Sequence, residues 1–312
     1  NSSAASDVYK RQQTDNIAKE DAYTLALFAQ DEIKLLRNLQ ALIGVRYIYH
    51  ENFKNHATPN VALMYKPGKF NFRASYAAGF RTPTLSELYA TDIAKKNDRL
   101  TIGNLDLKPE KNNYFSLSAE YVHERFSVSV NAFYNNIRDM IDYNTIATGD
   151  KAMEQYGHKE VRQRDNIAEA KVHGINVSAN AYLGAGFNLS GGYTHLNTQD
   201  VELEQPIDKS IKNAYNINAQ WAHSWKIYRL NINLNGRFNS KRFSKSYGYA
   251  PEYQLWDLNT RHSFNLKSVI IEPGCGMENL FDYMDDRPYN SNYATLTPGR
   301  SFYISLSLKF KS

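Results

Sequence analysis

From Phe302 to Phe310, every second residue of this sequence is apolar, and Ser305, Ser307 and Lys309 lie between the later ones. An extended strand with this two-residue period has one apolar face and one polar face. The alternation recurs along the chain, with aromatic residues near the ends of the apolar faces. This pattern is typical of transmembrane β-barrel strands, whose apolar residues face lipid and whose polar residues face the lumen.

Composition excludes several other classes of protein. The mean hydropathy is −0.59, and no run approaches the roughly 18 apolar residues that a membrane helix needs. A barrel remains compatible, because half of each strand faces water, and the 23 tyrosines suit aromatic girdles. The single cysteine, Cys275, excludes an internal disulfide. The net charge of +5 is spread along the sequence without a basic stripe, which predicts no nucleic-acid partner.

The alternation predicts an all-β fold of about thirteen antiparallel strands. They are expected at residues 21–30, 39–50, 60–65, 70–78, 113–122, 126–137, 167–183, 187–196, 213–223, 228–238, 253–266, 269–281 and 301–310. The connections alternate between short ones, such as 67–69 and 123–125, and long ones, such as 79–111 and 138–166. Outer-membrane barrels have short periplasmic turns and long extracellular loops, so we expect that topology here, with a periplasmic C-terminus.

The first residues are interpreted separately. Residues 1–12 (NSSAASDVYKRQ) resemble a translated sequencing adaptor and lack the apolar core of a signal peptide, so residues 13–312 are taken as the barrel segment. Thirteen strands is an odd number, whereas single-chain bacterial barrels close with an even one. We therefore expect the chain to be the C-terminal part of a larger barrel and not to insert as a stable pore alone.

Four motifs carry a family resemblance. Residues 79–89 (GFRTPTLSELY) and 103–110 (GNLDLKPE) resemble the paired signature in the barrel of TonB-dependent outer-membrane receptors. Residues 278–282 (ENLFD) and 298–301 (PGRS) are similar to the C-terminal signature of the same family. The resemblance covers about residues 20–310, in the family's order and rough spacing.

The resemblance implies a barrel of 22 strands plugged by an N-terminal domain, in the outer membrane of a Gram-negative bacterium. The implied function is non-catalytic uptake of a scarce nutrient, most favoured as a ferric siderophore-type iron chelate and energised through TonB. Haem, cobalamin or a glycan is the alternative cargo within the family. A passive porin or a surface adhesin is the alternative outside it. No Gly-x-Ser-x-Gly elbow or Asp-His loop pairing suggests an enzyme, and no cofactor is expected.

Candidate ligand-binding residues lie in the long connections. Tyrosine offers a flat apolar face and a polar tip, which suits aromatic or glycan ligands, although girdle tyrosines are common. Arg81 could contact an anion or anchor its loop, and His158 could ligate haem iron or be a solvated histidine. Asp282, Asp285 and Asp286 are interpreted as solvated, with no metal site expected. The candidates are Arg81, Tyr89, His158, Tyr247, Tyr249, Tyr289 and Tyr293.

Overall fold

The structure is a computed structural model that describes residues 2–10, 21–95, 97–166, 169–244, 248–285 and 298–311. Strands dominate the described chain, and the largest sheet has fourteen strands, of which the first and the last in chain order form its edges. Each of its strands pairs antiparallel with its neighbours. Its members are β1 (Ser2–Lys10), β2 (Asp21–Leu36), β3 (Leu39–His50), β4 (Lys54–Tyr65), β5 (Phe70–Arg81), β8 (Glu110–Val122), β9 (Phe126–Arg138), β12 (Ala170–Gly184), β13 (Phe187–Asp200), β14 (Asn213–Trp225), β15 (Tyr228–Asn239), β18 (Tyr253–Asn265), β19 (Val269–Glu278) and β20 (Ser301–Phe310).

The thirteen strands predicted from the alternation are the strands from β2 onward in this sheet. The additional strand, β1, lies within residues 1–12 and pairs in register with β2. No strand was expected there from the sequence, and the assignment of those residues to an adaptor stays a prediction. β4 begins at Lys54 and not near residue 60, so only residues 51–53 connect β3 to β4. The long-loop pattern is therefore broken at that connection.

Cross-strand register confirms the two predicted faces. Ile232 lies opposite Trp221, and Leu306 lies 65% exposed on β20, where it pairs with Pro273. On the other face, polar side chains bond across strands: Ser75 Oγ to Ser116 Oγ at 2.7 Å, and Asn218 Nδ2 to Asn233 Oδ1 at 2.7 Å. Exposed apolar residues on one face and polar residues that bond across strands on the other match a lipid surface and a lumen.

Aromatic residues form two girdles on the apolar face. The loop-end girdle, near the long connections, contains Tyr23, Tyr47, Tyr76, Phe115, Tyr134, Tyr215, Phe238 and Phe302. The turn-end girdle, near the short connections, contains Tyr65, Phe70, Tyr121, Phe126, Phe187, Trp225, Tyr228, Phe264 and Phe310. On β20, Phe302 and Phe310 are eight strand residues apart, about 26 Å. This spacing matches the apolar band of a transmembrane barrel, which is about 25 Å tall.

The long connections contain secondary structure of their own. A four-stranded sheet, here called the rim sheet, contains β6 (Thr91–Ala94), β7 (Arg99–Ile102), β10 (Ile141–Thr148) and β11 (Glu160–Asn166). A separate hairpin contains β16 (Arg242–Ser244) and β17 (Gly248–Ala250). The helices among the described residues are α1 (Leu85–Tyr89) and α2 (Gly149–Tyr156). No helix in the described part of the chain is long and apolar enough to cross a membrane.

Candidate ligand-binding rim

Arg81 ends β5 and holds together the base of the loop that follows. Its guanidinium donates to both oxygens of Glu110, with Nε 2.7 Å from Oε2, and its Nη1 lies 2.9 Å from Glu87 Oε2. The two carboxylates raise the pKa of Arg81, because their hydrogen bonds favour the charged guanidinium. Glu110 also accepts a hydrogen bond from the backbone N–H of Ile141 at 2.8 Å. The geometry favours the anchoring role of Arg81 over direct ligand contact.

Helix α1 is fixed by a capping box immediately after Arg81. The Thr84 hydroxyl accepts from the Glu87 backbone N–H, and the Glu87 carboxylate accepts from the Thr84 backbone N–H at 2.8 Å. Burial alone would raise the pKa of Glu87, but the hydrogen bonds from Thr84 and Arg81 hold it below its usual value. The capping pair and the ion pair share Glu87, so the helix start is tied to the end of β5.

A small apolar core supports this loop. Leu88 and Leu107 bury against Ile141, and Tyr89 packs partly buried against them. Gly103 lies against α1, where a Cβ would come 2.4 Å from the Leu88 carbonyl oxygen, so no larger residue fits without a backbone shift. The two family-like segments thus fold onto each other, and the candidate Tyr89 has a packing role here.

The rim sheet joins two connections that are distant in sequence. β7, from the connection between β5 and β8, pairs in parallel with β11, from the connection between β9 and β12. Asn166 ties the same two connections, since its Nδ2 donates to the carbonyls of Lys108 and Asp139 and its Oδ1 accepts from the Lys108 N–H. Val161 of β11 is fully buried. The two connections therefore form one layer.

Tyrosine and arginine side chains share one face of the rim sheet. Tyr143 lies opposite Arg164, whose guanidinium stacks 3.6 Å from the tyrosine ring centroid and donates to the phenolic oxygen at 2.6 Å. On β11, Arg162 and Glu160 have the same parity as Arg164, and Arg162 Nε donates to Glu160 at 2.6 Å. Tyr143 is 41% exposed. We call Tyr143, Arg162 and Arg164 the rim face; it offers one flat ring and two planar cations.

His158 follows α2 and links it to the other connection of the rim sheet. Its Nδ1 lies 2.9 Å from Asp98 Oδ1, and the Lys159 N–H donates to the Asp98 carbonyl at 3.0 Å. The His158 side chain is only 19% exposed. The hydrogen bond from His158 holds the pKa of Asp98 below its usual value. His158 thus has a structural partner in place of the haem iron considered from sequence.

The contact between His158 and Asp98 is expected to weaken in acid. Because the folded-state pKa of Asp98 is depressed, the stabilisation is complete above its ordinary value of 3.8 and is lost as the pH falls through the lower folded value. Spin labels at Lys95 and Lys151 would report this as a broadened interlabel distance distribution below that pH. Asp98→Asn is expected to give a distribution that does not change with pH, and an unchanged wild-type distribution down to pH 2 would contradict the prediction.

The remaining candidates lie elsewhere. Tyr249 is 56% exposed in the hairpin of β16 and β17, with its ring 5.3 Å from that of Phe243. This hairpin contacts the connection between β13 and β14 through the hydrogen bond from Lys209 N to Phe243 O. Tyr247, Tyr289 and Tyr293 lie outside the described residues. The structure therefore brings Arg81, Tyr89 and His158 into one layer and places Tyr249 in another.

Asp282 has a structural contact in the turn before the last strand. Its carboxylate accepts from the backbone N–H of Arg300 at 2.7 Å. Neighbouring Asn279 accepts from the Tyr283 N–H and donates to the Tyr283 carbonyl. Within the residues that the structure describes, no three His, Cys, Asp or Glu side chains are grouped to hold a metal ion.

Comparison with known proteins identifies the family. The model of the TonB-dependent receptor-like β-barrel matches residues 1–280. The chain belongs to this family. Its members are receptors of the outer membrane and not enzymes, and the predicted barrel class is confirmed.

Three solved structures share the fold. A variant of the ferric enterobactin receptor PfeA of Pseudomonas aeruginosa matches with a TM-score of 0.76 and 20% identity, over 95% of this chain and 46% of that one. The siderophore receptor PirA of Pseudomonas aeruginosa matches with a TM-score of 0.71 and 18% identity, over 94% of this chain and 49% of that one. The copper transporter OprC matches with a TM-score of 0.72 and 12% identity, over 94% of this chain and 50% of that one. This chain thus spans about half the length of the solved structures that it matches.

Sequence reasoning missed the residues that build the rim face. β10 and β11 fall inside a segment interpreted as a single loop, although Val161, Gln163 and Asp165 alternate with Arg162 and Arg164. That short alternation was the available signal. Its partner strand β7 is about 60 residues away, so pairing could not be inferred locally.

Proposed function

We propose that the complete protein is an energy-coupled outer-membrane receptor that imports a ferric siderophore-type chelate. The observation that carries the proposal is the rim face, where Tyr143 and Arg164 stack on a sheet built from two connections. A sheet fixes side chains more closely than an isolated loop does. The rim face is therefore preorganised for a ligand before the ligand arrives.

The chemistry of the rim face fits such a ligand. Siderophore-type chelates carry iron in a shell of anionic oxygens, frequently on aromatic rings. Guanidinium groups donate in a planar fork to paired anionic oxygens; Arg164 provides one such group, and Arg162, whose Nε is bonded to Glu160, provides a second cation beside it. Tyr143 adds an aromatic surface. Support also comes from PfeA and PirA, which are described as a ferric enterobactin receptor and a siderophore receptor.

Haem, cobalamin and glycans are the alternative cargoes. Haem ligation by His158 would require the imidazole to leave Asp98 and rotate out of a largely covered position. The iron chelate needs no such rearrangement at the rim face. In this proposal, the plug and the contact with TonB belong to the rest of the complete protein.

Substitution of the rim face tests the proposal. In a strain without other iron receptors that expresses the complete gene, Tyr143→Ala with Arg164→Ala is expected to lower chelate affinity by about 10- to 100-fold. This is the effect of removing a charge-assisted hydrogen bond of about 1.5–3 kcal/mol. Binding and uptake of radioactive iron as a siderophore chelate would be measured. Lys151→Ala on α2 is the matched control and is expected to bind normally.

The same assay separates the alternatives. Uptake that stops when the proton gradient is dissipated agrees with energy coupling, whereas uptake that continues would indicate a passive pore. If haem uptake, and not chelate uptake, supports growth, the cargo proposal is wrong. Normal chelate affinity in the double variant would reject the rim face as the binding surface.

A further inference from the structure

The short connections bring dispersed basic residues to one end of the sheet. Six short connections lie at this end of the sheet: β2 to β3, β4 to β5, β8 to β9, β12 to β13, β14 to β15 and β18 to β19. Together with the residue after β20, they contain seven basic side chains and one acidic side chain, Glu124. All seven are exposed. They are Arg37, Lys66, Lys69, Arg125, Lys226, Lys267 and Lys311, here called the basic ring.

At the opposite end of the sheet, acidic residues outnumber basic ones. The described residues of the connections at 51–53, 82–109, 139–169, 201–212, 240–252 and 279–300 include 12 basic and 18 acidic residues. The chain as a whole carries only +5. Positive charge is therefore concentrated at the turn end, although no cluster is visible in the linear sequence.

The basic ring lies directly beside the turn-end girdle. Lys69 precedes Phe70, Arg125 precedes Phe126, and Lys226 follows Trp225; Lys66 and Lys311 follow Tyr65 and Phe310 in the same way. Rings of the girdle pack together, as with Phe70 and Tyr121 at 4.9 Å. Aromatic girdles lie at the level of lipid headgroups. A cation one residue further toward the turn therefore lies at or just beyond that level.

The cations of the basic ring form no ion pair with an acidic side chain among the described residues. The ion pairs found there involve other basic side chains. Lys311 is hydrogen-bonded to neutral oxygens of Asn265 and Leu266. Successive turns are separated by two strand spacings, about 10 Å. The cations thus form a perimeter next to the lipid-facing surface and do not converge on one point.

We propose that the basic ring binds the phosphate groups of acidic phospholipids in the periplasmic leaflet of the outer membrane. A perimeter of separated cations beside an aromatic girdle fits a layer of many anionic headgroups. A compact acidic protein would contact only part of that perimeter. The proposal concerns the membrane contact of the barrel and does not depend on the cargo of the receptor.

Lipid selectivity in reconstituted membranes tests the proposal. The protein from the complete gene is placed in phosphatidylcholine vesicles with spin-labelled phosphatidylglycerol or spin-labelled phosphatidylcholine, and the immobilised fraction of each label is measured. We expect a preference of about fivefold for phosphatidylglycerol at low salt. A preference of this size corresponds to the attraction between one Lys or Arg and an anionic membrane surface. The preference is expected to shrink in high salt, because the exposed charges are screened.

Charge removal identifies the residues responsible. The combined changes Lys66→Gln, Lys69→Gln, Lys226→Gln and Lys267→Gln remove four of the seven ring cations and are expected to lower the preference to about twofold. The matched loop-end set is Lys95→Gln, Lys151→Gln, Lys159→Gln and Lys209→Gln, and it is expected to keep the wild-type preference. Lys→Arg changes at the four turn positions are also expected to keep the wild-type lipid preference. This set distinguishes an effect of lost charge from an effect of misfolding.

Four outcomes would overturn the proposal. Three are equal immobilisation of both lipids by the wild-type protein, equal loss of preference in the two glutamine sets, and loss of preference in the arginine set. The fourth is a turn-end glutamine set that keeps the wild-type lipid preference; if that set also loses binding to an acidic periplasmic protein, the basic ring is a protein-binding surface.

Discussion

Replacing Leu306 by lysine is expected to prevent assembly of the barrel, whereas Ser307→Lys is expected to be tolerated. Leu306 lies midway between Phe302 and Phe310 on the apolar face, and Ser307 points to the polar face. A lysine near the bilayer midplane costs roughly 2–4 kcal/mol on the lipid side of a barrel and little on the lumen side. The folded fraction in outer membranes, measured by heat-modifiable gel mobility of the complete protein, reports the difference.

A second pair of positions controls for local effects at the C-terminal strand. Ile232→Lys and Asn231→Lys repeat the comparison on β15, in the interior of the sheet. The lipid-facing change is again expected to be the damaging one. Equal loss of folded protein for both members of a pair would show that the facing assignment is wrong.

The barrel strands could be predicted because their signal is local. In β9, Phe126, Val128 and Val130 alternate with serine and asparagine, and the pleat converts that order directly into two faces. The start of β4 was missed because Asn55 and Pro59 occupy the apolar face at its beginning and interrupt the alternation. Pairing with β3 extends the strand through these residues regardless of their hydropathy.

The rim could not be predicted in the same way. Its contacts join residues far apart in the chain, such as the pair of His158 and Asp98 or the bonds from Asn166 to Lys108. The sequence showed Arg81 and Tyr89 only as members of a motif. Their actual partners, Glu110 and the core around Leu88, explain why an arginine and an aromatic residue occur there.

Glu110→Ala is expected to release the rim from the barrel while leaving the large sheet folded. The change removes two hydrogen bonds to Arg81 and the acceptor of the Ile141 N–H. Hydrogen bonds to charged groups contribute about 1.5–3 kcal/mol, and the partial exposure of Arg81 lowers the expected loss of rim stability to about 2 kcal/mol. Faster amide exchange at Ile141 and weaker chelate binding, with normal heat-modifiable mobility, are the expected measurements.

Two further variants separate the contributions of Glu110. Glu110→Gln keeps an acceptor for the Ile141 N–H but loses the charge, so it is expected to lie between wild type and Glu110→Ala. Arg81→Ala is expected to add little in the Glu110→Ala background, because both changes break the same contact. Additive effects would mean that Arg81 acts through something other than Glu110, and direct contact with the ligand would then be the better account of this arginine. A strongly sub-additive result would instead show that Arg81 stabilises the rim through its contact with the largely covered carboxylate of Glu110.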